Sequence, residues 1–139
     1  MIILDTNVIS EAMKVGRSLA VVAWLDRQSA ETLYLTAMSL SELSLGVELL
    51  PAGKRKEALR AGLSDLLAKL FGSRILPFDR AAALAYAALI GAARTAGNAV
   101  SMPDGQIGAI ASVHSFTVAT RDTAPFVALG IPVVNPWRQ

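Results

Sequence analysis

Five short apolar runs punctuate the chain: IIL (2–4), TLYL (32–35), RILPF (74–78), FTVAT (116–120) and IPVVN (131–135). Each is continuous rather than alternating, which is the pattern of a strand covered on both faces. Longer segments with helical spacing separate them. Strand–helix alternation of this kind predicts an α/β domain with a parallel sheet and right-handed crossovers. With 139 residues the chain is expected to be one domain, 1–139.

The helical segments read as follows. Val8 to Met13 is short. Leu19 to Gln28 has Val22, Trp24 and Leu25 on its apolar side. Ser39 to Leu50 carries the stripe Leu40, Leu43, Val47 and Leu50, and Pro51-Ala52-Gly53 stops it. Lys54 to Leu70 is amphipathic, with Leu59, Leu63, Leu66, Leu67 and Leu70 inward and a basic start of Lys54, Arg55, Lys56 and Arg60. Together 39–70 make a long connection, which can project as a separate hairpin. Arg80 to Ala96 is alanine-rich and suited to close packing, with Asp79 as N-cap. Pro103 to His114 and Thr123 to Leu129 complete the set.

Composition narrows the chemistry. There is no cysteine and a single histidine, His114, so disulfides, thiolate sites and His-rich zinc sites are excluded. A metal here must be held by oxygen, which points to Mg²⁺ or Mn²⁺. No basic stretch precedes an apolar run at the N-terminus, and the longest uncharged segment, AAALAYAALIGAA, is far shorter than a bilayer crossing. A cytoplasmic protein is expected. At 53% hydrophobic residues the chain carries more apolar surface than a monomer needs, which suits a partner.

Four acids share one kind of position. Asp5 follows the first strand, Glu42 opens the helix after the second, Asp104 opens a helix, and Asp122 follows the strand ending at Thr120. Each has an ordinary explanation as a helix cap. Ser39-Leu40-Ser41-Glu42 reads as a capping box, Asp104 lies three residues after Ser101, and Asp5 and Asp122 precede helices. Taken together they mean more, because the C-terminal ends of parallel strands share one edge, where ligands bind. Four clustered carboxylates repel one another, and a divalent cation removes the repulsion. Such a cation can also activate water and accept a substrate phosphate. With four of the 11 acids gathered there, 13 basic residues face seven acids elsewhere, a basic exterior of +6 suited to a polyanion.

LDTNVI (4–9), SELSLGVE (41–48), DGQIGAIA (104–111) and VATRD (118–122), in that order, resemble the PIN-domain ribonucleases, most closely the VapC toxins of the FitB-like group. The resemblance runs from Met1 to about Trp137. It implies a parallel sheet sandwiched by helices with an acidic pocket at the strand C-termini, and an endonucleolytic cut in RNA with water as nucleophile. It also implies Mg²⁺ or Mn²⁺ held principally by Asp5 and Asp104, with Glu42 and Asp122 acting through water or on a second ion. Thr120 positions the site, and Thr6 and Asn7 match the polar residues after the first acid. The partners implied are RNA, a second copy of the chain and a small antitoxin. The antitoxin pushes a basic side chain into the pocket and provides the only link to DNA. Helices near 8–13, 19–28 and 39–70 are the candidates for its groove.

The sequence departs from the family pattern at Pro103, Gly108 and Pro125, where a small residue, alanine and aspartate are commoner. Other readings are a PIN-fold module without catalysis and another metal-dependent phosphohydrolase or a phospho-acceptor receiver. The stretch Asp5-Thr6-Asn7 lacks the second acid of a phosphatase Asp-x-Asp, and no acidic pair of a receiver is present. Trp24 and Trp137 read as packing residues, and His114 as a favourable charge at a helix C-terminus. Arg121 and the basic cluster at 54–60 read as solvated surface, with phosphate contact as the alternative.

Overall fold

The computed structural model describes residues 1–139. Five parallel strands, β1 (Ile2–Leu4), β2 (Leu33–Thr36), β3 (Ile75–Leu76), β4 (Thr117–Ala119) and β5 (Val133–Val134), form one sheet in the order β3-β2-β1-β4-β5. The expected parallel α/β architecture is therefore present. The outer strands are only two residues long because Pro77 follows β3 and Pro132 precedes β5, and neither has an N–H to extend a ladder. Register is set by Ile3 opposite Tyr34 on one side and Val118 on the other.

Seven helices cover the two faces: α1 (Thr6–Met13), α2 (Leu19–Asp26), α3 (Ala37–Glu48), α4 (Lys54–Leu70), α5 (Arg80–Thr95), α6 (Met102–His114) and α7 (Ala124–Ala128). Side chains alternate across the strands. Leu4, Leu33, Leu35 and Ala119 enter a core with α1 to α4, whereas Ile3 and Val118 enter a second core with α5 to α7. Both cores are closed to solvent, with Phe71 in the first and Phe126 in the second fully buried. Burying each such side chain stabilises the fold by about 1.5–3 kcal/mol.

Several boundaries differ from the sequence reading, for local reasons. α1 begins at Thr6, because the Asp5 carboxylate accepts from the Thr6 amide at 2.8 Å and acts as N-cap. α3 begins at Ala37, because Thr36 is extended and its Oγ1 accepts from the Ser39 amide at 3.2 Å. Thr36 thus takes the capping role expected of Ser39. The centre of the buried face of α2 is Val21 and Trp24 rather than Val22 and Leu25. The 39–70 segment is not a separate hairpin. Leu43 and Val47 of α3 and Leu63 of α4 are part of the first core.

Asp79 caps α5 through the Ala82 amide at 3.0 Å, and Ser101 caps α6 through the Asp104 amide at 3.3 Å, both as expected. Gly108 is buried, and a Cβ there would lie 2.8 Å from Leu129 Cδ1, so its role is close packing. Gly105, beside Asp104, is tighter. Its Cβ would meet both Ile90 and Tyr86 of α5 at 2.8 Å. No helix is long and apolar enough to cross a membrane.

Candidate functional site

β1 and β4 are adjacent, although the chain visits β2 and β3 between them. The crossovers therefore leave this sheet in opposite directions at the β1–β4 join. A crevice opens at such a switch point, outside the carboxyl ends of the strands. The Asp5 amide donates to Ala119 O at 2.9 Å, which ties the first residue beyond β1 to the end of β4.

The side chains beyond that join form a connected network. Thr120 is fully buried, and its hydroxyl donates to Asp5 Oδ2 at 2.8 Å. Thr120 Oγ1 also accepts from the Asp122 amide at 3.1 Å and from Asn7 Nδ2 at 3.3 Å. Asn7 Oδ1 in turn accepts from the Arg121 amide at 3.4 Å. Thr120 and Asn7 thus lock the turn after β4 to the start of α1 and aim the Asp5 carboxylate.

A cavity of about 520 Å³ lies over this network. Asp5, Glu42, Asp104 and Asp122 all line it, so the four acids singled out in the sequence come together, with Thr120 directly beneath. Two of the ordinary explanations for them fail. Glu42 lies in the second turn of α3, not three residues after the cap, so it takes no part in a capping box. α7 starts at Ala124 with no side-chain cap, so Asp122 does not cap it. Asp5 does serve as a cap, and faces the cavity as well.

The cavity also contains residues that were not singled out for it. Glu11 is 7% exposed and lines its floor. The Ser18 amide, at 3.0 Å, holds its carboxyl below the usual value, with Lys14 and Trp137 adding to the effect. No motif marks Glu11, because its partners come from the α1–α2 connection and the C-terminal end of the chain. Lys14 pairs with it at 3.3 Å. Trp137, half-buried, forms part of the wall, and Arg121 lies over its ring. Trp137 also packs against the first core and Arg121 is exposed, as the sequence suggests, but both border the cavity.

The electrostatics of the cavity are one-sided. Five carboxylates and two cations, Lys14 and Arg121, line it, a formal charge of −3. Burial pushes the Asp5 carboxyl above its ordinary value, the hydrogen bonds from Thr120 and Thr6 pull it back, and the charges of Asp104 and Glu42 raise it again. No ion pair includes Asp5. No three carboxylates converge closely enough to form a ready-made cage. A cation that keeps several waters and needs only one or two carboxylates, as Mg²⁺ and Mn²⁺ do, is the kind such oxygens could hold. The all-oxygen donor set fits the same ions. The Thr6 hydroxyl, at the cavity edge, is buried without a partner.

A second cavity of about 680 Å³ adjoins the first and shares Thr6, Ser10, Lys14 and Glu42 with it. It runs between α1, α3 and α4 and is mainly apolar, lined by Met13, Val15, Leu43, Leu50 and Leu59, with Arg55 at its edge. α2 does not reach it, and faces a separate hollow formed with Leu66 and Leu70 of α4. Two other basic residues of α4 are engaged on the surface. Arg60 pairs with Glu48 at 2.9 Å, and Lys56 donates to Glu48 O at 2.9 Å.

The same sequence pattern occurs in known proteins. A family model described as PIN domain matches residues 2–131. Toxin FitB of Neisseria gonorrhoeae is 48% identical over 137 residues, 99% of both chains. VapC ribonuclease Y4jK of Sinorhizobium fredii is 47% identical over 137 residues, covering 99% of this chain and 98% of its own. The crystal structure of FitAcB from Neisseria gonorrhoeae superimposes with a TM-score of 0.95 over 100% of both chains, at 47% identity.

Proposed function

This chain belongs to the PIN-domain family, in the branch of the VapC ribonucleases and toxin FitB, and on that premise we propose a divalent-cation-dependent endoribonuclease that serves as the toxin of a toxin–antitoxin pair. One observation carries the reading. Asp5 is a buried carboxyl that faces the charges of two further acids and pairs with no cation. A pocket of charge −3 repels a phosphodiester, and one divalent cation reduces that to about −1.

Asp5 and Asp104 are the principal ligands, and Glu42 and Asp122 act through water or on a second ion. A Mg²⁺ or Mn²⁺ bound there supplies a water nucleophile at neutral pH and offsets charge developing on the phosphate oxygens. The chain's own part is orientation. Thr120 fixes Asp5 by its O–H bond, and with Asn7 holds the Asp122 turn against β1. The β1–β4 join fixes the positions of Asp5 and Asp122, and α3 and α6 bring Glu42 and Asp104 to the same cavity. RNA is the substrate by relation to a protein named VapC ribonuclease at 47% identity.

The partner follows from the second cavity. A small antitoxin lays an apolar segment along the groove between α1, α3 and α4. At the groove's open end the segment reaches Glu42 and delivers a basic side chain to the acids. Groove and acidic cavity are continuous, so one short segment can fill both. DNA is reached through the antitoxin, and the toxin acts as a dimer. The other readings, a receiver or a phosphatase, find no support in a chain whose PIN match spans 2–131.

Purified chain free of antitoxin, incubated with structured RNAs in Mg²⁺ or Mn²⁺, is expected to cleave. EDTA and Asp5→Asn are each expected to abolish cutting. Cleavage that survives Asp5→Asn, or none on any RNA, overturns the proposal.

A further inference from the structure

We infer that Arg121 is the phosphate-gripping residue of the site, held on an indole shelf formed by Trp137. The inference rests on the ribonuclease reading and adds a substrate contact outside the four acids and Thr120.

The acidic cavity is lined by only two cations. Lys14 is committed, its ammonium 3.3 Å from Glu11. Arg121 belongs to no ion pair, although it sits between Thr120 and Asp122 in the sequence and faces a pocket of five carboxylates. Its Cζ lies 5.3 Å from the centroid of the Trp137 ring instead. A guanidinium that prefers an aromatic face to nearby carboxylates keeps all five N–H donors available for another acceptor.

Both supports of that guanidinium are fixed. Its backbone is pinned by the bond from the Arg121 amide to Asn7 Oδ1. Trp137 is fixed through the short 3₁₀ turn Pro136–Arg138, where its amide donates to Asn135 Oδ1 at 3.0 Å. The indole and the buried Glu11 line the same cavity. Side-chain freedom that a free arginine loses on binding is already restricted here, which is what preorganisation requires. Glu11, unassigned by the cation chemistry, then has a role. It holds Lys14 at 3.3 Å, leaving Arg121 as the uncommitted cation of the cavity.

A planar guanidinium matches two oxygens of a phosphodiester. From the rim of this cavity Arg121 grips the phosphate of the strand that crosses the acids, either the scissile one or its neighbour. It supplies an attraction that the five carboxylates otherwise deny to RNA.

The test is RNA binding against salt, read by fluorescence anisotropy with a labelled single-stranded RNA in a cleavage-silent Asp104→Asn background with Mg²⁺ present. Arg121→Ala is expected to weaken binding about tenfold. The slope of log affinity on log salt should drop by about 0.7, one phosphate contact on a single strand. Arg121→Lys should restore the slope without restoring full affinity. Trp137→Leu should weaken binding less than Arg121→Ala and leave the slope unchanged. In otherwise wild-type protein, Arg121→Ala should raise KM with little change in kcat. If Arg121→Ala leaves affinity and slope unchanged while lowering the melting temperature, Arg121 serves only to tie down the C-terminus and the inference is wrong. If the parent protein neither binds nor cuts RNA, the ribonuclease reading fails and takes this one with it.

Discussion

The two adjoining cavities are built in opposite ways. The acidic one stands on strand ends. Asp5, Thr120 and Asp122 lie within three residues of β1 or β4, and backbone pairing across that join sets their positions. The apolar one stands on helix faces, and α3 and α4 are held together by a few inward leucines and by surface ion pairs. The first arrangement is stiff at Asp5 and Asp122, which cannot move without disturbing the β1–β4 pairing, and Glu42 and Asp104 join them from α3 and α6. The second can adjust to a ligand because helices slide and side chains repack. The proposed function thus puts chemistry on the rigid half and partner recognition on the adaptable half.

The sharpest way to test the division is to remove charge from the rigid half alone. Asp104→Asn changes no packing, since Asp104 is partly exposed at the start of α6 and its amide, not its carboxylate, is capped by Ser101. RNA cleavage is expected to fall by at least about a hundredfold. The melting temperature should stay near wild type, and antitoxin binding should lose only the charge contact that its basic side chain makes with this acid. A large loss of stability instead would make Asp104 a structural acid and erase the contrast.

The reverse experiment loads the adaptable half. Ala58 lies on the exposed face of α4 and lines the groove, so Ala58→Glu keeps helix propensity and puts a charge where an apolar segment would lie. Antitoxin affinity, measured by calorimetry, is expected to fall about a hundredfold. Cleavage by the free toxin should be unaffected. Equal antitoxin affinity would locate the partner elsewhere.

Thr120→Val probes the joint between sheet and acids. Valine matches the shape of threonine, but Asp5 loses its O–H donor, and the Asp122 amide and Asn7 lose an acceptor. Because Thr120 is fully buried, stability is expected to drop by about 1–3 kcal/mol. Cleavage should drop about tenfold as Asp5 and the Asp122 turn loosen. Denaturant melts and single-turnover rates measured together check this, and a change in only one of them would separate aim from fold.

How much of this the sequence reveals follows the same division. The apolar runs give the parallel sheet, and a parallel sheet places Asp5, Glu42 and Asp122 at one edge without further information. Asp104 needs the family resemblance, since helix starts are not confined to that edge. Local rules misplace Glu42, because Ser39 looks like a cap as good as Thr36. The decision comes from Thr36 leaving β2 in an extended conformation with its hydroxyl already at the Ser39 amide. Glu11 and Trp137 are not legible at all. They meet across almost the whole chain, and no spacing rule links an acid in the first helix to an indole in the last turn. The groove is invisible for the same reason, since its lining comes from three helices whose mutual angles the sequence does not state.

The smallest effect expected is also the one that says most about the adaptable half. Glu48 closes α3 and α4 by pairing with Arg60 at 2.9 Å and, more distantly, with Lys56 at 4.0 Å. The Arg60 hydrogen bond and charge hold the Glu48 carboxyl below its ordinary value of 4.5. A depressed carboxylate pKa stabilises the fold above pH 4.5, and that stabilisation is lost as pH falls through the lower folded value. The pair is largely exposed, so solvent and salt screen it. Glu48→Gln should lower the melting temperature at pH 7 and low salt by no more than about 2 °C. The difference should shrink as pH falls below 4.5 and in 1 M salt. A much larger shift would mean that surface charge, not the leucines beneath it, sets the angle between α3 and α4. The groove would then be as rigid as the acidic cavity beside it.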